Sequence, residues 1–155
     1  MQDYRISLTV VAALAKNEMA IGLLYREFAK RMPEEKDFWN HIAEEEDGHA
    51  NKINILNDSI HAGDLGFKEG RFNINDVEKI SRFIKEETLR VEKGLLSKKK
   101  MYQVAEEIET GLLENKFFEV FDTDNEGSKK ILNEIRLETI EHFKSVRKHL
   151  SEIKD

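Results

Sequence analysis

A chain of 155 residues can bury the core of one domain, and with 36% charged residues and a single proline its composition suits solvated helices. It has no cysteine, which excludes disulfides, thiolate zinc sites, iron–sulfur clusters and rubredoxin-type iron centres. The formal net charge of −6 argues against a nucleic-acid partner; Lys98-Lys99-Lys100 is too short to reverse this and reads as a solvated helix end.

The first helical run is expected from about Tyr4 to Met32. Its inward stripe is Val11, Leu14, Glu18, Ile21, Tyr25 and Phe28, spaced three and four apart. Glu18 is the one charge in that stripe. Ile6 to Ala15 is apolar, but Lys16, Asn17 and Glu18 follow at once. The expectation is therefore a soluble, cytoplasmic chain with no signal peptide and no membrane contact.

Pro33 suits the first turn of a second helix, reaching to about His61. A link this tight makes the two helices antiparallel. The second seam reads Trp39, Ile42, Glu46, His49, Ile53, Leu56, Ile60, so two metal-type ligands stand where core hydrophobes belong. A buried, unpaired carboxylate is costly and calls for compensation. Glu18 lies fifteen residues before Pro33 and Glu46 thirteen after it. At about 1.5 Å rise per residue they share a height within one turn, with His49 one turn further on. A Glu three residues before a His on an inward face is the paired-ligand motif of carboxylate-bridged di-metal bundles. The bland reading of the same residues is a charged helix face that includes a His, with Glu18 paired to a Lys or to Tyr25.

Residues 62–74 read as a loop, with Asn75 or Asp76 capping a connecting helix from Val77 to about Leu96. A further helix is expected from Ser97 to Phe121 with the stripe Val104, Glu107, Gly111, Glu114, Phe118, Phe121. Residues 122–128 form a turn-rich segment too short to be a calcium loop. The last helix is expected from Lys129 to Ile153, with the stripe Leu132, Ile135, Thr139, His142, Val146, His149. His41 reads as surface, His61 as a helix end and His149 as a cap on the core. Gly48 and Gly111, both inside helices, suggest close helix approach.

A repeat runs through the chain at an offset of ninety-three residues. Ala12 falls on Ala105, Tyr25 on Phe118, Ile42 on Ile135, Glu45 on Glu138, His49 on His142 and Ile53 on Val146. Two helical hairpins of one build, joined by a crossover, make a four-helix bundle with internal pseudo-symmetry. At this offset Glu18 falls on Gly111 and Glu46 on Thr139, so only the histidine persists. Glu114 and Glu107, each one turn from Gly111, and Glu138, four residues before His142, are the nearby acids that could substitute.

The residues Asn17-Glu18-Met19-Ala20 with Tyr25, Ile42-Ala43-Glu44-Glu45-Glu46 with His49-Ala50, and Glu138 with His142-Phe143 resemble the rubrerythrin branch of the ferritin-like superfamily. The resemblance implies one all-α domain over 1–155, a ferritin-like four-helix bundle with an additional crossover helix. It implies a buried pair of iron atoms accessible to peroxide or oxygen. Carried over by position, the metal ligands would be Glu18, Glu46, His49 and His142, with Glu114 as the fifth. The family's rubredoxin domain is missing, so an external electron donor would be needed. The family also implies a homodimer. Two other readings stay open: a non-catalytic binder of one iron, zinc or manganese in a partial site, and a metal-free dimerising bundle.

Overall fold

The computed structural model describes residues 4–67, 74–114 and 121–154, with the side chains of residues 4–7, 67 and 114 outside that description. Among the described residues the chain is helical apart from one small two-stranded ribbon. Its helices are α1 (Tyr4–Arg31), α2 (Lys36–His61), α3 (Ile74–Glu92), α4 (Lys98–Glu114) and α5 (Glu126–Glu152). A 3-10 turn, Pro33–Glu35, links α1 to α2 with proline at its start, where the missing N–H costs nothing.

The two hairpins, α1 with α2 and α4 with α5, are antiparallel. Across the first, Tyr25 packs on Trp39 and Arg26 pairs with Asp47. Across the second, Tyr102 stacks on His149. Antiparallel contacts also join α2 to α5, from Phe38 against His149 to a 2.7 Å hydroxyl pair between Ser59 and Ser128. Helix α3 runs alongside α1, tied by a buried hydrogen bond of 3.1 Å from Asn17 Nδ2 to the Val77 carbonyl.

The helix boundaries follow local chemistry. Asn125 caps α5, its side chain accepting from the Ser128 N–H at 2.9 Å, so α5 begins three residues earlier than expected. Helix α3 starts at Ile74, taking in the two residues expected as caps, and ends at Glu92 rather than Leu96 because Gly94 adopts φ 72° just beyond it. The segments expected as a plain loop and as a helix end contain two strands instead. Strand β1 (Leu65–Phe67) pairs antiparallel with β2 (Phe121–Thr123), Leu65 opposite Thr123 and Phe67 opposite Phe121.

One stretch among the described residues, Leu8–Arg31, is long and apolar enough to cross a membrane by length and composition. Here its apolar positions Val10, Val11, Leu14, Ile21, Leu24 and Phe28 are buried in the core.

The close approach of α1 to α2 lies at Gly22, not at Gly48. A Cβ on Gly22 would meet the Ala43 carbonyl oxygen at 3.3 Å and Asp47 Oδ1 at 2.9 Å, whereas one on Gly48 would meet nothing within 4 Å. At Gly111 the neighbour is the Ile80 side chain at 3.5 Å, an ordinary contact. Gly48→Ala should therefore raise stability by about 0.5–1 kcal/mol through helix propensity alone. Gly22→Ala should lower it by roughly 1–3 kcal/mol despite the same propensity gain, because backbone cannot move aside. Thermal unfolding of the two variants checks this; a stabilised Gly22→Ala would show that the helices do not meet there.

Candidate metal centre

The expected residues Glu18, Glu46, His49 and His142 converge in the core from α1, α2 and α5, and all four are buried. They form two groups that share one member. His49 Nδ1 lies 3.3 Å from Glu46 Oε2 and 3.6 Å from Glu18 Oε2. His142 Nδ1 lies 2.8 Å from Glu46 Oε1 and 3.9 Å from Glu109 Oε1. Glu46 thus turns one oxygen to each histidine, and the rings face each other with centroids 5.5 Å apart. Within each group, Glu18/Glu46/His49 and Glu46/Glu109/His142, one donor atom per residue lies within 4.8 Å of the others. These groups could hold a metal ion.

Glu109 replaces the expected face of α4. Of the expected stripe Val104 is buried, but Glu107 is exposed and Gly111 only half-buried, whereas Met101, Tyr102, Ala105, Ile108, Glu109 and Leu112 are buried. Glu114 closes α4, and its side chain lies outside the described residues, as do Phe117 and Phe118. The signal for Glu109 was a second register. At an offset of ninety-one, Glu18 falls on Glu109, Leu14 on Ala105 and Ile21 on Leu112. Two residues turn a helix by about 200°, so the offset that aligns α2 with α5 presents the wrong face of α4. Thr139, at the position matching Glu46, spends its hydroxyl on the Ile135 carbonyl at 2.8 Å.

Each histidine points Nδ1 inward and Nε2 outward to an acid. His49 Nε2 meets Glu138 Oε2 at 2.6 Å and His142 Nε2 meets Glu45 Oε2 at 3.1 Å. These acids are repeat partners, each serving the histidine of the opposite helix. Such an arrangement fixes which ring nitrogen faces a metal. Tyr25 donates its hydroxyl to Glu109 Oε1 at 2.7 Å. Glu141 is exposed, His41 is a surface residue paired with Glu45, and His149 packs between Phe38 and Tyr102.

The electrostatics are those of crowded acids in a dry interior. Burial, and then the Glu46 charge, push Glu18 well above the carboxylate range and Glu109 up to about 8. Burial also opposes charge on Glu46, but the Glu18 carboxyl and both imidazoles outweigh it and hold Glu46 well below that range. Burial likewise opposes charge on the histidines. The facing carboxyls prevail, raising His49 to about 11 and His142 to about 9. Four buried atoms of the two groups, Glu18 Oε2, Glu46 Oε2, His49 Nδ1 and Glu109 Oε2, nevertheless make no hydrogen bond.

The chain matches no family model, no curated protein and no solved structure.

Two outcomes are expected. Raised pKa values mean that the folded metal-free state binds more protons than the unfolded one above the ordinary values of 4.5 and 6.5. Its stability should therefore fall as pH rises from about 6.5 to about 11, the contribution of Glu109 gone by about 8, that of His142 by about 9 and that of His49 by about 11. Bound metal displaces those protons, so the loaded protein should not show this decline; thermal unfolding of chelated and loaded samples across that range compares them. Glu138→Ala should weaken metal binding by about 10–100-fold by freeing the His49 ring, as read by competition with a chelator. Unchanged affinity would mean that Glu138 does not orient His49.

Proposed function

We propose that this chain is a ferritin-like four-helix bundle, made of α1, α2, α4 and α5 with α3 as crossover, that binds two metal ions bridged by Glu46. The observation that carries this reading is the shared carboxylate: Glu46 stands in both groups of donors, each of its oxygens 3.3 Å or less from a different imidazole. The unpartnered buried atoms beside it support the same conclusion, since buried polar groups are otherwise hydrogen-bonded. The hairpin pairing and the antiparallel contact of α2 with α5 support the bundle.

Three buried carboxylates and two imidazoles suit iron, manganese or zinc, and the resemblance to rubrerythrins favours iron. Bound there, iron would supply one-electron redox chemistry toward peroxide or oxygen. The chain's own residues then have separable tasks. Glu18 and His49 hold one position, Glu109 and His142 the other, and Glu46 spans both. Glu45 and Glu138 orient the rings. The Tyr25 hydroxyl orients Glu109. The surrounding layer of Leu14, Ile21, Ala105 and Ile135 excludes water. These residues hold no cysteine for an iron–sulfur or rubredoxin-type centre, so this reading takes its electrons from a donor outside them.

A second reading, one ion without turnover, draws on Thr139. Where an acid would complete the second position, a hydroxyl is already committed to backbone.

Metal analysis after anaerobic iron loading decides between them. About two irons per chain are expected, with Glu109→Ala retaining one and Glu46→Ala losing both, because it serves each position. One ion per chain in the unmodified protein would favour the single-metal binder. An unchanged metal content in Glu46→Ala would overturn the assignment.

A further inference from the structure

The centre is sealed: none of Glu18, Glu46, His49, Glu109 and His142 is more than 3% exposed. An ion from solvent must pass the outer acids, and among the described residues one such acid stands beside each histidine. At the first opening, Glu45 meets His142 Nε2 at 3.1 Å with one oxygen and His41 Nε2 at 2.6 Å with the other. At the second, Glu138 meets His49 Nε2 at 2.6 Å with one oxygen, and its other oxygen lies 3.5 Å from the Lys52 ammonium. Lys52 also faces Glu134 at 3.4 Å, so it stands between two carboxylates.

The ninety-three-residue offset shows how the openings differ. Glu45 corresponds to Glu138, but His41 falls on Glu134 and Lys52 on Ser145. The same outer acid is thus flanked by an imidazole at one opening and by an ammonium at the other. For an arriving cation these are opposite surroundings. Imidazole nitrogen is a ligand for iron, manganese and zinc. An ammonium has no lone pair to offer and repels a divalent ion. Around Glu45 the side chains run imidazole, carboxylate, imidazole from surface to core, each of them a metal-ligand type. His41 and Glu45 share one helical face at a spacing of four, and 71% of the His41 side chain is exposed, so its ring can turn toward an ion. A surface His–Glu pair at this spacing is ordinary by itself. This one is set apart by the second oxygen of Glu45, which holds the ring of a buried donor, and by the lysine that flanks the equivalent acid in the other half.

We propose that His41 and Glu45 form an outer binding site for a divalent transition-metal ion, the station through which ions enter the Glu46-centred site on its His142 side. The proposal rests on the metal-binding reading of that site. His41 Nε2 and Glu45 Oε1, already in contact, take the ion from solvent. Because Glu45 also touches His142, the captured ion stands one side chain away from the inner donors. Lys52 occupies the space between Glu134 and Glu138 with its own charge and closes the His49 side to cations.

Stopped-flow loading with cobalt(II), whose visible absorption reports its ligation, tests the route. His41→Ala should slow entry about 10-fold while the final cobalt content stays the same. His41→Lys, which copies the charge at the other opening, should slow it further, and His41→Glu, which restores a ligand, should recover it. Lys52→Ala should leave the rate unchanged or raise it; circular dichroism verifies that each variant folds. A pair that merely covers Glu45 would behave differently, since removing His41 would bare the acid and loading would not slow. An unchanged rate in His41→Ala, or equal slowing by Lys52→Ala, would overturn the route. Manganese(II) added to zinc-saturated, desalted protein should broaden the His41 ring protons in NMR spectra, and Glu45→Gln should remove the effect. Absence of broadening would overturn the outer site. Failure of cobalt to enter the unmodified protein would overturn the metal-centre reading instead, and manganese broadening at His41 in the metal-free protein would still judge the outer site.

Discussion

The core of this protein is organised around one carboxylate with two imidazoles. Glu46 is buried away from solvent, so its charge must be balanced by what the helices bring to it. His49 comes from its own helix and His142 from α5, each on a different oxygen. Glu18 and Glu109 arrive from the two remaining sides with carboxyls that cannot all ionise together. Protons can balance such a cluster, and a metal cation could do so as well; a bound cation would also engage the atoms that protons leave unpaired. The tight contact at Gly22 matters for the same reason, since it brings α1 near enough for Glu18 to join.

The repeat survives where geometry is shared and breaks where chemistry is not. Glu45 and Glu138, like His49 and His142, occupy equivalent places and serve each other's helix. Glu46 and Thr139 do not correspond in chemistry. The two halves therefore present the same frame with unequal acids, and the two positions beside Glu46 differ in their donors. Any ion in one experiences a different field from an ion in the other.

Much of this was legible from periodicity. Glu18, Glu46, His49 and His142 interrupt apolar stripes at helical spacing, and the short link through Pro33 places Glu18 and Glu46 within a turn of the same height, with His49 one turn further on. Glu109 escaped because a single offset was applied to both hairpins, although α4 is shifted by two residues against the frame that aligns α5. The inward turn of Glu138 depends on helix rotation, which spacing alone does not determine when an acid stands at every few positions. Strands β1 and β2 are three residues each and pair across more than fifty residues. Nothing local marks such strands, because each exists only through the other.

The outer acids have one more effect. Glu45 and Glu138 are about a third exposed, at 29% and 37% of their side chains, while the rings they hold are sealed inside. Each sealed imidazole is therefore a single hydrogen bond away from bulk solvent. A hydrogen ion can leave or reach the interior along that bond, through a carboxylate wetted on its far side, without any helix parting from its neighbours. The molecule's most tightly enclosed groups remain in acid–base communication with their surroundings while the fold stays shut.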